Sequence, residues 1–332
     1  MTQTNPSSTS AAPLPRRPAA VRRISADDLG MLLVCLIWGL NFSVTKSAFA
    51  EIPPLPFTAV RFIISSVLLW VVLRAFERPV TLPSGALRLL VVLGVVGNTC
   101  YQLTFTLGLA RTTATNSALI LSTVPTVVAI LSGVLGLERI TIRMRWGIAL
   151  GTLGVVLVIA TRGVQFDIRN LTGDLLTVLA VFLWAGYTIG LRRLPPSVSP
   201  LRVTTITAIA GTPGLVLAGL PGAFHVDWAN ASVTAWLAVA YASVLSLVVA
   251  YLLWNRSVKA VGGTRTAIYM CLTPLVAVLG AWLLLGERPH PLQGIGALFI
   301  ITGVLLTRTG GEEKMERTEK TERSEKTSSS RA

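Results

Sequence analysis

Trp38, Asn41 and Thr45 follow one another at i, i+3 and i+7, a spacing that puts all three on one face of a helix. Asn98, Tyr101, Gln102 and Phe105 form a second such stripe, Trp184 and Tyr187 a third, and Tyr251, Trp254 and Asn255 a fourth. Tyr269 and Thr273, one turn apart, make a shorter fifth. Each stripe sets aromatic rings beside amides or hydroxyls inside a run that is otherwise apolar. Such side chains are costly to face to lipid, so they can line a path for an uncharged or zwitterionic solute. They can equally anchor a helix at a membrane interface or tie two helices by hydrogen bonds, and the sequence leaves both readings open.

Charge inside the apolar runs is scarce. Arg61 lies several residues within one, where an arginine costs about 2.5–3.5 kcal/mol at a helix centre and less near an interface. Its guanidinium can receive a substrate carboxylate on two donors, or it can fasten the helix end to headgroups or helix termini. Lys46 closes the first run and either faces the mouth of a path or snorkels. Glu138 and Glu287 each precede an arginine and are expected to form local ion pairs that brace tight turns. No Asp or Glu falls in the middle of a run, which disfavours the simplest proton antiport, a carboxylate alternately holding a proton and a cation. His225 and His290 lie in or beside loops, and no nucleophile with its base or paired carboxylates can be assembled, so no catalytic residue is assigned. Cys35, Cys100 and Cys271 lack metal-ligand spacing; no metal site, disulfide framework or cofactor is expected.

The elements that must position these residues are membrane helices. Of 332 residues, 52% are hydrophobic and 13% charged, and the mean hydropathy is +0.67, so most of the chain needs lipid as its solvent. The net charge of +14 resides in loops and tails between apolar runs, which argues for membrane topology and against nucleic acid. Runs near the ~20 residues that cross a bilayer fall at 29–48, 56–76, 86–109, 114–136, 143–161, 172–191, 200–219, 232–254, 265–285 and 291–307, predicting an all-α integral membrane protein of ten transmembrane helices. Loops after the even-numbered runs carry Arg74, Arg78, Arg88, Arg139, Arg143, Arg145, Arg192, Arg193, Arg202, Arg256, Lys259 and Arg265. Those on the other side carry only Lys46, Arg111, Arg162, Arg169 and Arg288, so both termini are expected in the cytoplasm.

The chain also repeats itself. A shift of 149 residues sets Pro125 on Pro274, Glu138-Arg139 on Glu287-Arg288, Gly147 on Gly296 and Gly154 on Gly303. A shift of 146 sets Asp28 on Asp174, Trp38 on Trp184 and Lys46 on Arg192. The expected organisation is a disordered cytoplasmic tail (1–28), a first five-helix repeat (29–161), a linker (162–171), a second repeat (172–307) and a charged cytoplasmic tail (308–332). No small-residue cleavage site follows a short apolar core, and the first run reads as a retained signal anchor. An odd number of spans per repeat turns the second upside down, the arrangement of carriers that work by alternating access. Pro125 and Pro274 each fall inside a span, where they leave the carbonyls of Leu121 and Met270 without a donor and read as kinks or as paired hinges.

These residues are familiar as a set. WGLNF at Trp38 to Phe42, the entry Pro53, Pro54, Pro56 followed by Arg61, and the twin Pro…Glu-Arg…Gly…Gly signatures resemble the EamA-type transporters of the drug/metabolite transporter superfamily, over nearly all of residues 29–307. The resemblance implies a bacterial inner-membrane carrier, typically an exporter of small metabolites such as amino acids, with spans one to four and six to nine around a central cavity. It does not name the cargo. Multidrug and sugar-phosphate or nucleotide-sugar carriers are the alternatives within the class, and the latter would want several cavity-facing cations where these spans offer Arg61. A membrane scaffold or receptor is the alternative outside it. The expected partners are a small-molecule substrate and the lipid bilayer, with a homodimer left open.

Overall fold

The computed structural model describes residues 26–136, 142–160, 168–261, 269, 272–303 and 306, and every regular element among them is helical. The helices are α1 (Ala26–Ala48), α2 (Pro54–Phe76), α3 (Ala86–Arg111), α4 (Ala114–Leu121), α5 (Val124–Val134), α6 (Ile142–Ala160), α7 (Ile168–Leu191), α8 (Pro200–Ala223), α9 (Val233–Ser257), α10 (Thr273–Leu285) and α11 (Pro291–Gly303). Six of them, α1, α2, α3, α7, α8 and α9, are long and apolar enough to cross a membrane, and Ala114–Val128, α10 and α11 are shorter apolar helices. Both tails, the Glu138-Arg139 turn, Arg162, Arg265 and Met270 lie outside the described residues.

Local chemistry sets the helix ends. Pro54 and Pro56 open α2 where a missing N–H would be unpaired in any case. The hydroxyls of Thr113, Ser199 and Ser232 cap α4, α8 and α9 by accepting from Asn116 N (3.0 Å), Arg202 N (3.1 Å) and Ala235 N (3.1 Å). Gly286, at φ 66°, supplies the left-handed turn that stops α10.

Two features depart from uninterrupted spans. The stretch 114–136 breaks at Ser122–Thr123, because Ser122 Oγ and Thr123 Oγ1 donate back to the carbonyls of Leu119 (2.6 Å) and Ile120 (2.7 Å) and Pro125 cannot extend the ladder. α3 and α9 each contain a π-helical segment, Val95–Cys100 and Tyr241–Val249, whose first residues are themselves 146 apart. At its start α7 reaches Ile168, inside the expected linker.

The packing pairs the halves. α2 lies on α8, α3 on α7, α1 on α9 and α10, and α7 on α4 and α5. Glycines bring α6 and α11 into backbone contact: a Cβ on Gly154 would sit 2.6 Å from the Gly296 carbonyl oxygen, and one on Gly303 2.5 Å from that of Gly147. The two contacts are equivalent under the 149-residue shift, and they run in opposite directions along the helices, so α6 and α11 cross antiparallel. Gly154→Ala is expected to lower stability by about 1–3 kcal/mol, since besides the Ile300 side chain it meets the main-chain Gly296 oxygen and Ile300 nitrogen, which cannot swing aside. A thermal melt of the detergent-solubilised protein reads this, and an unchanged midpoint would reject the contact.

Candidate functional site

At the centre of the bundle lies a cavity with about 660 Å³ of empty space, its open mouth included. Its wall comes from both halves: Trp38, Asn41 and Phe42 of α1, Arg61 of α2, Tyr101, Gln102 and Phe105 of α3, Ala118 and Leu121 of α4, Ser122 in the break, Val124 of α5, Trp184 of α7, Ser246, Leu247 and Tyr251 of α9, and Thr273 of α10. No carboxylate is among them.

The aromatic stripes interlock. Trp38 meets Trp184 edge-on at 6.2 Å and Tyr251 at 5.7 Å between ring centroids, and Tyr101 lies 4.9 Å from Trp184. Such edge-to-face pairs are each worth about 0.5–1.5 kcal/mol beyond burial. Trp38 Nε1 donates to the Ser246 carbonyl at 3.0 Å, and Ser65 Oγ donates to that of Ser243 at 3.0 Å. Both acceptors belong to the π segment of α9, whose widened turn offers carbonyls to neighbouring helices. Asn41 accepts from Thr45 Oγ1 at 3.3 Å.

Arg61 is 1% exposed, which excludes an anchor among headgroups. Its Nη2 donates to Gln102 Oε1 at 2.6 Å, and its guanidinium carbon stands 5.7 Å and 5.8 Å from the ring centroids of Phe57 and Phe62. Its Nε–H has no acceptor among the described residues. Among the described residues no carboxylate pairs with it.

Other candidates lie away from the wall. Asn98 is buried in the π segment of α3 against α8, where a Cβ on Gly211 would come within 2.5 Å of its Cβ. Tyr187 packs over Gly97. Trp254 stands behind Trp38 at 5.4 Å, and Asn255 Nδ2 donates to Thr204 Oγ1 at 2.6 Å, fastening α9 to α8. The Tyr269 carbonyl accepts from Cys35 Sγ at 2.9 Å, and its side chain packs in the cluster around Met31 and Trp254. Pro125 and Pro274 occupy the first turns of α5 and α10, which abut the cavity through Val124 and Thr273, and Pro125 starts a helix after a break instead of kinking a continuous one.

A polar cluster missed by sequence reasoning ties one end of the bundle. Lys46 Nζ donates to the Thr112 carbonyl and pairs with Glu287 Oε1 at 3.2 Å. Glu287 also accepts from Ala114 N (3.1 Å), Thr115 N (3.2 Å) and Thr115 Oγ1 (3.2 Å), placing its charge at the positive end of α4. Thr112 Oγ1 donates to Asp174, which is wholly buried, and Gln293 Nε2 donates to Asn116 Oδ1 at 2.6 Å. The ion pair of Glu287 is therefore with Lys46 and not the local one expected with Arg288. Lys46, Glu287 and the alignment of Asp28 with Asp174 stand out along the chain, but nothing there joins them. Outside the spans, Glu51 accepts from Ser232 Oγ (2.6 Å) and N (2.7 Å), hydrogen bonds that hold its carboxyl below the usual range.

Comparison with known proteins agrees with this architecture. An uncharacterized transporter of Archaeoglobus fulgidus is 31% identical over 289 residues, covering 85% of this chain and 97% of the relative. A probable amino-acid metabolite efflux pump of Escherichia coli is 28% identical over 295 residues, covering 86% and 95%. A crystal structure of 16% sequence identity superposes with a TM-score of 0.59 over 87% of this chain and 98% of that one, a likeness of fold alone. The model of the EamA-like transporter family matches residues 26–160 and again 171–309, once for each half, and the chain, a multi-pass membrane protein, belongs to that family.

Proposed function

We propose that the protein exports small metabolites, amino acids foremost, from the cytoplasm across a bacterial inner membrane, by alternating access of the central cavity between two inverted five-helix repeats. The observation that carries this reading is the cavity itself, walled by both halves, neutral and aromatic apart from one buried arginine. Binding sites of carriers sit where repeats meet. The antiparallel glycine contact of α6 with α11 supports the inversion. The bias of Lys and Arg between loops supports cytoplasmic termini, with the Lys46–Glu287 cluster at the outer end. The efflux pump among the relatives supports the substrate class.

Counterflow in proteoliposomes preloaded with each of a panel of amino acids, with and without a pH gradient, tests the proposal. Accumulation of labelled solute over protein-free vesicles is the expected result, and none for any member would reject amino acids as cargo. In the same assay Trp38→Ala or Tyr101→Ala is expected to lower flux about tenfold, the equivalent of about 1.4 kcal/mol of lost contact. Monodisperse protein should remain at the wild-type amount. Loss of protein with undiminished flux per molecule would assign the rings to packing.

A further inference from the structure

We infer that Arg61 is the carboxylate-receiving group of the cavity, so that the transported solute presents a carboxylate to its guanidinium and sets an ammonium and apolar body against the aromatic wall. The inference deepens the carrier reading and rests on it.

A guanidinium taken wholly out of water is expensive unless an anion meets it. Arg61 is 1% exposed and no carboxylate pairs with it among the described residues. Gln102 and the two phenylalanine rings hold the group in place, but an amide oxygen and π faces do not neutralise it. Of the five N–H donors of an arginine fork, the Nε–H has no acceptor among the described residues and Nη2 is engaged by Gln102. A planar fork with an unspent donor, on a residue of the cavity wall, matches a carboxylate in geometry as well as charge.

The surroundings add to this. α5 and α10 begin beside the cavity, at Val124 and Thr273, and helix N-termini carry partial positive charge. The C-terminus of α4, at Leu121 and Ser122, meets the start of α5 and offsets part of that field, but with no Asp or Glu among the described lining residues the charge of Arg61 still favours an anionic group. The faces of Trp38, Tyr101, Trp184 and Tyr251 can take an ammonium by cation–π contact. One cavity thus offers a group for each of the two charges of an amino-acid zwitterion. Gln102 acts as a positioning residue, fixing the plane of the guanidinium.

The test compares acids with their amides on the wild-type protein. Once counterflow has identified an exchanged amino acid, for instance L-phenylalanine, inhibition of its exchange is measured with the unlabelled acid, its carboxamide and the amine lacking the carboxyl group. The carboxamide and the amine are expected to compete at least about tenfold more weakly than the acid, since a charge-assisted hydrogen bond is lost. Arg61→Lys, which keeps a cation without the fork, should weaken exchange of the acid about tenfold while leaving the discrimination between amino-acid side chains unchanged. Equal competition by acid and carboxamide would overturn the inference and leave the carrier reading standing. Absence of counterflow for the whole panel would remove both.

Discussion

Glu287→Gln is expected to open the Lys46 end of the bundle, raising by about tenfold or more the rate at which a membrane-impermeant maleimide, added outside, reaches a Ser122→Cys reporter in the cavity wall. The carboxylate receives a lysine, two backbone N–H groups and a hydroxyl, from the ends of α1 and α4. Hydrogen bonds to a charged acceptor contribute about 1.5–3 kcal/mol each when well made. The side chains of Lys46 and Glu287 are 26% and 17% exposed, so solvent screens the pair and the lower figure is the better guide. Loss of even about 1.4 kcal/mol from the state in which that end is shut shifts its population tenfold. The amide keeps the shape of the carboxylate while surrendering its charge, which separates electrostatics from packing. Lys46→Met should act through the same contact, and the two substitutions together should add little to either alone. Labelling is read in a background with Cys35, Cys100 and Cys271 replaced by alanine. A rate unchanged by either substitution would mean that the cluster is a brace and not a latch.

That cluster shows where reading the chain runs out. Lys46, Thr112, Thr115, Asp174, Glu287 and Gln293 come from widely separated parts of the chain, and the pairing visible along it is with the adjacent Arg288. Helix periodicity reports which residues share a face, but not which distant helix end meets it. The stripes fared differently because a face is a local property. Trp38, Asn41, Arg61, Tyr101, Gln102, Trp184 and Tyr251 do meet around one cavity.

Departures among the remaining stripe residues have physical causes. Asn98 was placed with Tyr101 on the assumption of 3.6 residues per turn, but it lies in a π segment, where each wider turn rotates the register. Tyr187 and Asn255 lie one turn beyond Trp184 and Tyr251, where α3 and α8 respectively close over them. Arg61 was ambiguous by sequence because position along a helix does not say how deeply its flank is covered. The helix content and the doubling of the chain were legible throughout, since apolar runs and matched glycines and prolines are read without knowing any contact between distant segments.

The matched prolines lead to the second large effect. Pro125→Ala combined with Pro274→Ala is expected to slow exchange about tenfold or more while raising the melting midpoint. Pro125 follows a break held open by Ser122 and Thr123, and alanine there supplies an N–H able to reach the Leu121 carbonyl and join α4 to α5. In a helix interior alanine is favoured over proline by about 3 kcal/mol. The gain is reduced by about 0.4–1 kcal/mol because the unfolded chain becomes freer. A continuous helix is stiffer at the point where α5 meets the cavity, and its partner change at the start of α10 would stiffen the other half. If the starts of α5 and α10 are the hinges on which the cavity changes sides, exchange must fall as stability rises. Either single substitution should slow exchange less than the pair, because one intact hinge still lets its half move. A stabilised double variant that exchanges at the wild-type rate would sink the hinge proposal and leave the prolines as helix starts only. Opposite signs for stability and rate therefore separate a moving part from a structural one.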